Sequence, residues 1–274
     1  MQQVSSTRLA VWGDPISHSK SPQLHAAAYG VLGLDWEYGR RQVPEDGFTE
    51  ALSSLDGSWR GLSLTMPLKE AAYRAAAHRD RHAEATGAVN TLLLGGDGPR
   101  GCNTDVGGIV DALAERGVRE AARVRILGAG ATAASALAAA AELGVTSVEV
   151  RARRPERAAG LRARGERLGL AVTATVFEAP AGEVDLTIAT LPSGTELPAD
   201  VVEPLAAGGV LFDAAYAPWP SALAASWGDG EIVSGFGMLL HQAVRQIRLF
   251  LAGDQEQPLP DEAAVVAAMR AAVA

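Results

Sequence analysis

The sequence predicts an α/β fold in two domains: an N-terminal α/β domain and a parallel-sheet domain, with the last helices returning to the first. Three observations carry that reading. The chain has 274 residues, 48% of them hydrophobic and 20% charged, which suits one large or two ordinary globular domains and not a disordered chain. From residue 105 onward, short apolar runs alternate with helical stretches, the rhythm of βαβ units. The chain then closes on two helical stretches that are too few to fold alone.

In the first hundred residues, the apolar run at 9–12 reads as a strand ended by Gly13, Asp14 and Pro15. Ser21 and Pro22 start a helix that stops at Gly33. A strand is expected at 36–43, a loop and helix at 44–53, a strand at 61–64 and a helix at 68–78. The segment 88–94 and the glycine-rich turn at 95–99 close a hairpin. The middle segment predicts a helix at 105–116, a strand at 124–127 and a helix of small residues at 132–143. A strand at 147–152, a charged helix at 155–168, and strands at 186–190 and 210–213 follow. Helices at 237–251 and 261–273 end the chain. The domains expected are 1–104 with 236–274, and 105–235.

Composition excludes several classes of function. The net charge is −8, so clustered Lys and Arg for a nucleic-acid backbone are not expected. The one cysteine, Cys102, permits neither an intrachain disulfide nor a cysteine-based zinc site. The weakly polar run at 129–141 falls short of the roughly twenty residues that span a bilayer. Residues 1–9 lack the regions of a signal peptide, which makes a cytoplasmic protein the expectation. Of 24 basic residues only Lys20 and Lys69 are lysines. Lysine can lose its proton when desolvated and arginine effectively cannot, so Lys69 draws attention.

The run from Val124 into Gly128, Ala129, Gly130, Ala131 and Ala133 is strand, glycine turn and helix, in the G-x-G-x-x-A pattern. The first glycine permits the turn, the second lets backbone approach a pyrophosphate, and the helix N-terminus offers N–H groups to the anion. A glycine turn that binds nothing carries the same local pattern. An NAD-preferring site wants Asp or Glu about 20 residues further on. This chain has Arg153, Arg154 and Arg157 there, which suit a 2′-phosphate and predict NADP; the alternative is a solvated, charged helix face.

On the other side, Ser17 and Ser19 alternate along a polar segment, so their hydroxyls face one way and can hold a carboxylate. An ordinary Ser-rich loop before a helix reads identically. Thr65 to Lys69 follows a strand end, and Asn90 and Asp105 add an amide and a carboxylate. A Lys69–Asp105 pair can move the proton that balances hydride transfer; a surface lysine and an N-cap aspartate are the plainer alternative.

In this order, the segments GDPISHSKSP at 13–22, LTMPLK at 64–69, GAVNT at 87–91, NTD at 103–105, GAG at 128–130 and GFGMLLHQA at 235–243 resemble the shikimate dehydrogenase family. The likeness spans nearly the whole chain and includes a tyrosine-containing loop at 213–220. It departs at Ser63 and Ala152, where the family usually has Asn, at Val106, where a glycine usually follows NTD, at Ala131, where a third adjacent glycine is missing, and at 188–190, which lacks another Asn. The resemblance implies a Rossmann-like nucleotide domain and reversible NADPH-dependent reduction of 3-dehydroshikimate to shikimate, a step towards aromatic amino acids, with no metal. It implies that Lys69 and Asp105 are the catalytic pair. Ser17, Ser19 and Tyr216 would take the substrate carboxylate, and Thr65, Asn90, Asp105 and Gln242 the ring hydroxyls. Gly128 to Ala131, Arg153, Arg154, Arg157, Thr190, Gly235 and Met238 would meet NADP(H). His18, His25 and His241 are expected in loop or packing roles. The partner implied is a small molecule, bound by a monomer or homodimer. A quinate or aminoshikimate dehydrogenase, or a non-catalytic protein sensing nucleotide or shikimate, are the competing readings.

Overall fold

The structure, a computed structural model, describes residues 7–206 and 208–273. The chain forms two compact units, Met1–Thr104 with Gln242–Ala274, and Asp105–His241. The return to the first unit falls inside a helix and not before it.

The first unit contains β1 (Thr7–Gly13), α1 (Ser21–Leu32), β2 (Trp36–Gln42), α2 (Phe48–Ser53), β3 (Trp59–Leu64), α3 (Lys69–Ala75), β4 (His78–Arg79), α4 (Arg81–Thr86), β5 (Thr91–Leu93) and β6 (Arg100–Cys102). Its six-stranded sheet has the order β2-β1-β3-β5-β6-β4. β1 lies parallel to β2 and β3, and β5 is antiparallel to both β3 and β6. α1 has Pro22 in its first turn and ends where Gly33 turns left-handed at φ 64°, its N–H returning to the Tyr29 carbonyl. The helix expected over 68–78 stops at Ala75, because His78 and Arg79 pair with β6. Trp12, Phe48, Leu62, Leu64, Leu68 and Leu92 lie in one core.

The second unit contains α5 (Asp105–Glu115), β7 (Arg123–Leu127), α6 (Ala131–Glu142), β8 (Ser147–Arg151), a 3-10 turn (Pro155–Ala158), α7 (Ala159–Arg167), β9 (Ala171–Thr175), β10 (Leu186–Ala189), α8 (Ala199–Leu205), β11 (Val210–Asp213), α9 (Ala222–Ala225) and β12 (Ile232–Ser234). α10 (Gly235–Ala252) begins here and carries the chain back to the first unit, where α11 (Glu262–Ala271) packs on α1. The sheet is wholly parallel, in the order β9-β8-β7-β10-β11-β12. Counted from β7, that is 3-2-1-4-5-6, the doubly wound dinucleotide-binding arrangement. Its faces separate by strand alternation: Ile126, Ile188 and Phe212 join the core under α5, α6 and α7, whereas Leu127, Ala189 and Leu211 join that under α8 and α9. α6 is alanine-rich and buried from Ala133 to Ala140, which lets it lie close to the sheet.

Candidate active site

In the first unit the predicted substrate residues follow the carboxyl ends of β1 and β3, or border β5. Backbone bonds tie their segments together. Asp14 N–H donates to Met66 O and Thr65 N–H to Trp12 O, both at 2.9 Å. Leu64 N–H reaches Asn90 O at 2.7 Å, and Val89 N–H reaches Lys69 O at 2.9 Å. Gly13 must be glycine: a Cβ there would lie 2.4 Å from the Thr65 methyl and 2.9 Å from Met66 O. Ser17 is exposed, and its carbonyl accepts from Arg40. The Ser19 hydroxyl accepts from Ser21 N–H at 3.3 Å. Thr65 and Lys69 are half-buried, Lys69 being the first residue of α3.

Asn90 is buried, its amide gripped on two sides. Its Oδ1 accepts from Thr104 N–H at 2.9 Å, and its Nδ2 donates to Thr104 Oγ1 at 2.9 Å. Asn103 is held next door: its backbone N–H meets the Asp80 carboxylate at 3.3 Å, and its Nδ2 donates to Thr86 Oγ1 and Ala88 O. Burial raises the pKa of Asp80, opposed by bonds from Ala83 N–H and Asn103 N–H. Gln242 is buried on α10, one turn before Gln246, which reaches Asn90 O and Thr91 Oγ1. The structure thus gathers Thr65, Lys69 and Asn90 in the first unit, where Gln242 is one turn from a residue that touches Asn90. Asp105, at the start of α5 and 4% exposed, counts with the second unit.

In the second unit the order of strands reverses between β7 and β10, where ligands bind in sheets of this kind. Gly128 follows β7 at φ 112°, and a Cβ on it would lie 2.6 Å from Thr190 Oγ1. Thr190 follows β10 and braces the same point, its N–H and hydroxyl both donating to Leu127 O at 2.8 and 2.9 Å. Gly130 is the extended N-cap of α6, with no side-chain cap and nothing within 4 Å of where its Cβ would sit. Room beside Gly130, together with the uncapped first-turn N–H groups of α6, fits a pyrophosphate.

The arginines beyond β8 fall into two kinds. Arg153, Arg154 and Arg157 are exposed, and their guanidiniums have no hydrogen-bond or ion-pair partner among the described residues. Arg151 is 1% exposed and donates to the carbonyls of Phe177, Ala179 and Pro180 and to Glu149. Gly235 is packed so closely that a Cβ would lie 2.2 Å from Ala214 O. Met238 is 8% exposed and part of the core under α5 and α6. Tyr216 is half-buried, and burial raises the pKa of its phenol.

Of the histidines read as loop or packing residues, His18 is exposed and His241 meets Glu115 Oε2 at 3.3 Å. His25 is buried, with both ring nitrogens hydrogen-bonded. The sequence reading missed Thr104 and Gln246. Thr104 lies inside the quoted NTD segment, and Gln246 lies one helical turn after Gln242, which was the available signal. Among the described residues no group of three or more His, Cys, Asp or Glu is placed to hold a metal ion. No described helix is long and apolar enough to cross a membrane.

A doubly wound parallel sheet with a glycine turn and an uncapped helix at its switch point defines a dinucleotide-binding α/β protein. Residues 11–92 match the family model described as the shikimate dehydrogenase substrate binding domain. A Bordetella petrii protein named shikimate dehydrogenase (NADP(+)) is 35% identical over 96% of this chain and 95% of its own length. A Methylobacterium radiotolerans protein of that name is 36% identical over 88% of this chain and 90% of its own. The crystal structure of Mycobacterium tuberculosis shikimate dehydrogenase superposes with a TM-score of 0.86 at 40% identity, covering 97% of this chain and 99% of that one. A Thermus thermophilus shikimate 5-dehydrogenase in complex with NADP(H) and shikimate gives a TM-score of 0.80 at 30% identity, with the same coverage. The chain belongs to the shikimate dehydrogenase family.

Proposed function

We propose that this chain catalyses the reversible NADPH-dependent reduction of 3-dehydroshikimate to shikimate. Its relatives carry the name shikimate dehydrogenase (NADP(+)), and one was crystallised with NADP(H) and shikimate. The observation that carries the cofactor choice is the trio of exposed guanidiniums, Arg153, Arg154 and Arg157, beyond the second strand of the nucleotide sheet and without partners among the described residues. A 2′-phosphate is the anion that such a trio suits, whereas a ribose 2′-hydroxyl is better held by a carboxylate.

In this reading the second unit holds the nucleotide. Backbone N–H groups from Gly128 to Ala131 take the pyrophosphate, with Thr190 bracing the turn. Gly235 and Met238 border the nicotinamide. When bound, NADPH supplies the hydride that reduces the ketone. For the substrate, Ser17 and Ser19, with Tyr216, take the carboxylate, and Thr65, Asn90, Asp105 and Gln242 take the ring hydroxyls. The Lys69 ammonium stabilises the negative charge that develops on the carbonyl oxygen and delivers a proton to it from Nζ. Asp105 orients and tunes Lys69. In the reverse direction Lys69 receives the proton of the substrate hydroxyl.

The test is a matrix of initial rates followed by nicotinamide absorbance, with shikimate and quinate each offered NADP+ and NAD+. Rapid turnover only with shikimate and NADP+ is expected. Faster turnover with quinate would overturn the substrate, and faster turnover with NAD+ the role of the arginine trio. Folded protein silent with all four pairs would overturn the reaction.

A further inference from the structure

The loop after β1 that carries Ser17 and Ser19 is met from the side by β2, the edge strand of the first unit's sheet. Ser19 N–H donates to Ile16 O at 3.1 Å, so both serines lie on one tight turn. β2 ends in Arg40, Arg41 and Gln42, three exposed residues with different partners. Arg41 lies over the Trp12 ring, its guanidinium carbon 5.2 Å from the ring centre. Gln42 donates to the Asp14 carboxylate at 2.6 Å. Arg40, which strand alternation places on the face opposite Arg41, reaches the turn itself: its Nη1 donates to the Ser17 carbonyl. That is the one hydrogen bond or ion pair of its guanidinium among the described residues. A guanidinium carries five N–H donors in a planar fork that matches a carboxylate, and no carboxylate among the described residues pairs with this one. Charges on an edge strand also keep other strands from pairing with it, but that role does not require a fork closed on a loop carbonyl.

We propose that Arg40 is a further binding residue for the substrate carboxylate: one nitrogen of its fork anchors the turn through Ser17 O, and its remaining N–H groups serve the anion that Ser17 and Ser19 hold. This rests on the reading of those two serines as the carboxylate site, and it adds a charge to that site. Two hydroxyls can donate to a carboxylate but leave its negative charge uncompensated. A guanidinium beside them compensates that charge and supplies a charge-assisted hydrogen bond. The ligand so recognised is an acid ionised at neutral pH, and an uncharged analogue with the same ring gains nothing from Arg40. Because the guanidinium is exposed, salt screens the attraction, which sets both its size and its signature.

The experiment measures kcat/KM at saturating NADP+ for shikimate and for its uncharged methyl ester, across a range of salt. It uses full-length wild type, Arg40→Gln, Arg40→Lys, Ser17→Ala and Ser19→Ala, with thermal unfolding alongside. Arg40→Gln is expected to lose about fivefold to tenfold on shikimate at low salt, the scale of one exposed charge-assisted bond, and less than about twofold on the ester. The loss on shikimate should shrink below about twofold at high salt. Arg40→Lys, which keeps the charge, is expected to recover most of it. Equal losses on acid and ester would show that Arg40 only props the turn, and the proposal falls. If Ser17→Ala and Ser19→Ala weaken shikimate and Arg40→Gln does not, the proposal falls and the serine site stands. If none of the three weakens it, the carboxylate is held elsewhere and both fall. Should wild type turn over too little ester to follow, the salt dependence with shikimate decides. A slope that flattens in Arg40→Gln supports the charge, and parallel slopes in the two proteins overturn it.

Discussion

Removing the charge of Glu149 should destabilise the nucleotide unit, because its carboxylate is the counterion of two buried arginines. It lies on β8 opposite Arg125 of β7, two residues before Arg151 on the same face. Its carboxylate takes Arg125 Nε at 2.6 Å and Arg151 Nη2 at 2.8 Å. Both arginine side chains are 1% exposed and Glu149 is 26% exposed. Burial alone would push the Glu149 carboxyl up, but the two arginines hold it below the usual carboxylate range. Glu149→Gln keeps the shape and removes the charge, which leaves two buried guanidiniums with no counterion. Breaking one buried pair costs about 3–5 kcal/mol. The carbonyls of Phe177, Ala179, Pro180, Gly182 and Leu205 still accept from the two forks, so we expect the lower end, about 3 kcal/mol. For a chain this size that is a fall in Tm of roughly 6–12 °C. Calorimetry measures it, and hydrogen exchange at residues 147–151 locates it. The wild-type contribution should be complete above pH 4.5 and fade as pH falls through the depressed native value, because the unfolded glutamate takes its proton first. That part of the acid dependence should vanish in Glu149→Gln. A loss below about 1 kcal/mol would show that the carbonyls alone neutralise both arginines, and the reasoning from an unpaired buried charge would be refuted.

Lys69→Arg keeps a cation but scarcely releases a proton, so kcat should fall about a hundredfold or more while the shikimate KM stays within about threefold; near-native kcat in steady-state assays would remove Lys69 from the proton path. Gly128→Ala puts a methyl 2.6 Å from Thr190 Oγ1 at a φ of 112°. It should raise the NADP+ Kd about tenfold or more, with shikimate binding unchanged by calorimetric titration; native NADP+ affinity would mean that this turn does not shape the site. Burial lowers the His25 pKa from 6.5 to about 3, against the bond from Gln246. The faces around the ring are Tyr29, Tyr38, Phe250 and Gln246, and no carboxylate is among its partners. The unfolded histidine therefore binds its proton first. Its share of stability is complete above about pH 6.5 and declines by about 1.4 kcal/mol per pH unit towards pH 3, so about 3 kcal/mol is gone by pH 4.5. Denaturant titrations of wild type and His25→Gln should diverge over that window, and parallel curves would show that His25 is not buried neutral.

The elements legible in the sequence are those whose signals are local. Pro22 and Gly33 bracket α1 because a proline suits the first helical turn and a glycine the left-handed cap. The glycine turn after β7 is legible for the same reason. α4 went unread because it is short and charged, although its caps were present: Asp80 accepts from Ala83 N–H at 2.7 Å, and Gly87 turns left-handed at φ 66°. β9 and β12 carry no hydrophobic run strong enough to stand out. They exist because β8 and β11 offer them a parallel edge, and neither sequence encodes that by itself.

The site divides along the same line. Backbone-shaping residues such as Gly13, Gly128 and Gly235 are legible as motif glycines, and each is held to glycine by an atom that a Cβ would strike. What the motifs do not reveal is which of two like residues is a tool and which is scaffold. Arg151 and Arg153 are two residues apart in a run of arginines, yet one is locked into four hydrogen bonds and the guanidinium of the other has no partner among the described residues. The end of the strand explains the contrast, since alternation alone would give both residues the same face. Arg151 ends β8 on the face shared with Glu149, where its fork closes on the 177–180 loop, and Arg153 lies past the strand end, exposed. His25 and Gln246 make the same point across 221 positions of sequence. Read singly, a histidine after a helix start is a packing residue. Only the arrival of α10 supplies the Gln246 amide that its Nε2 meets at 3.3 Å, and no motif in either segment announces that pairing.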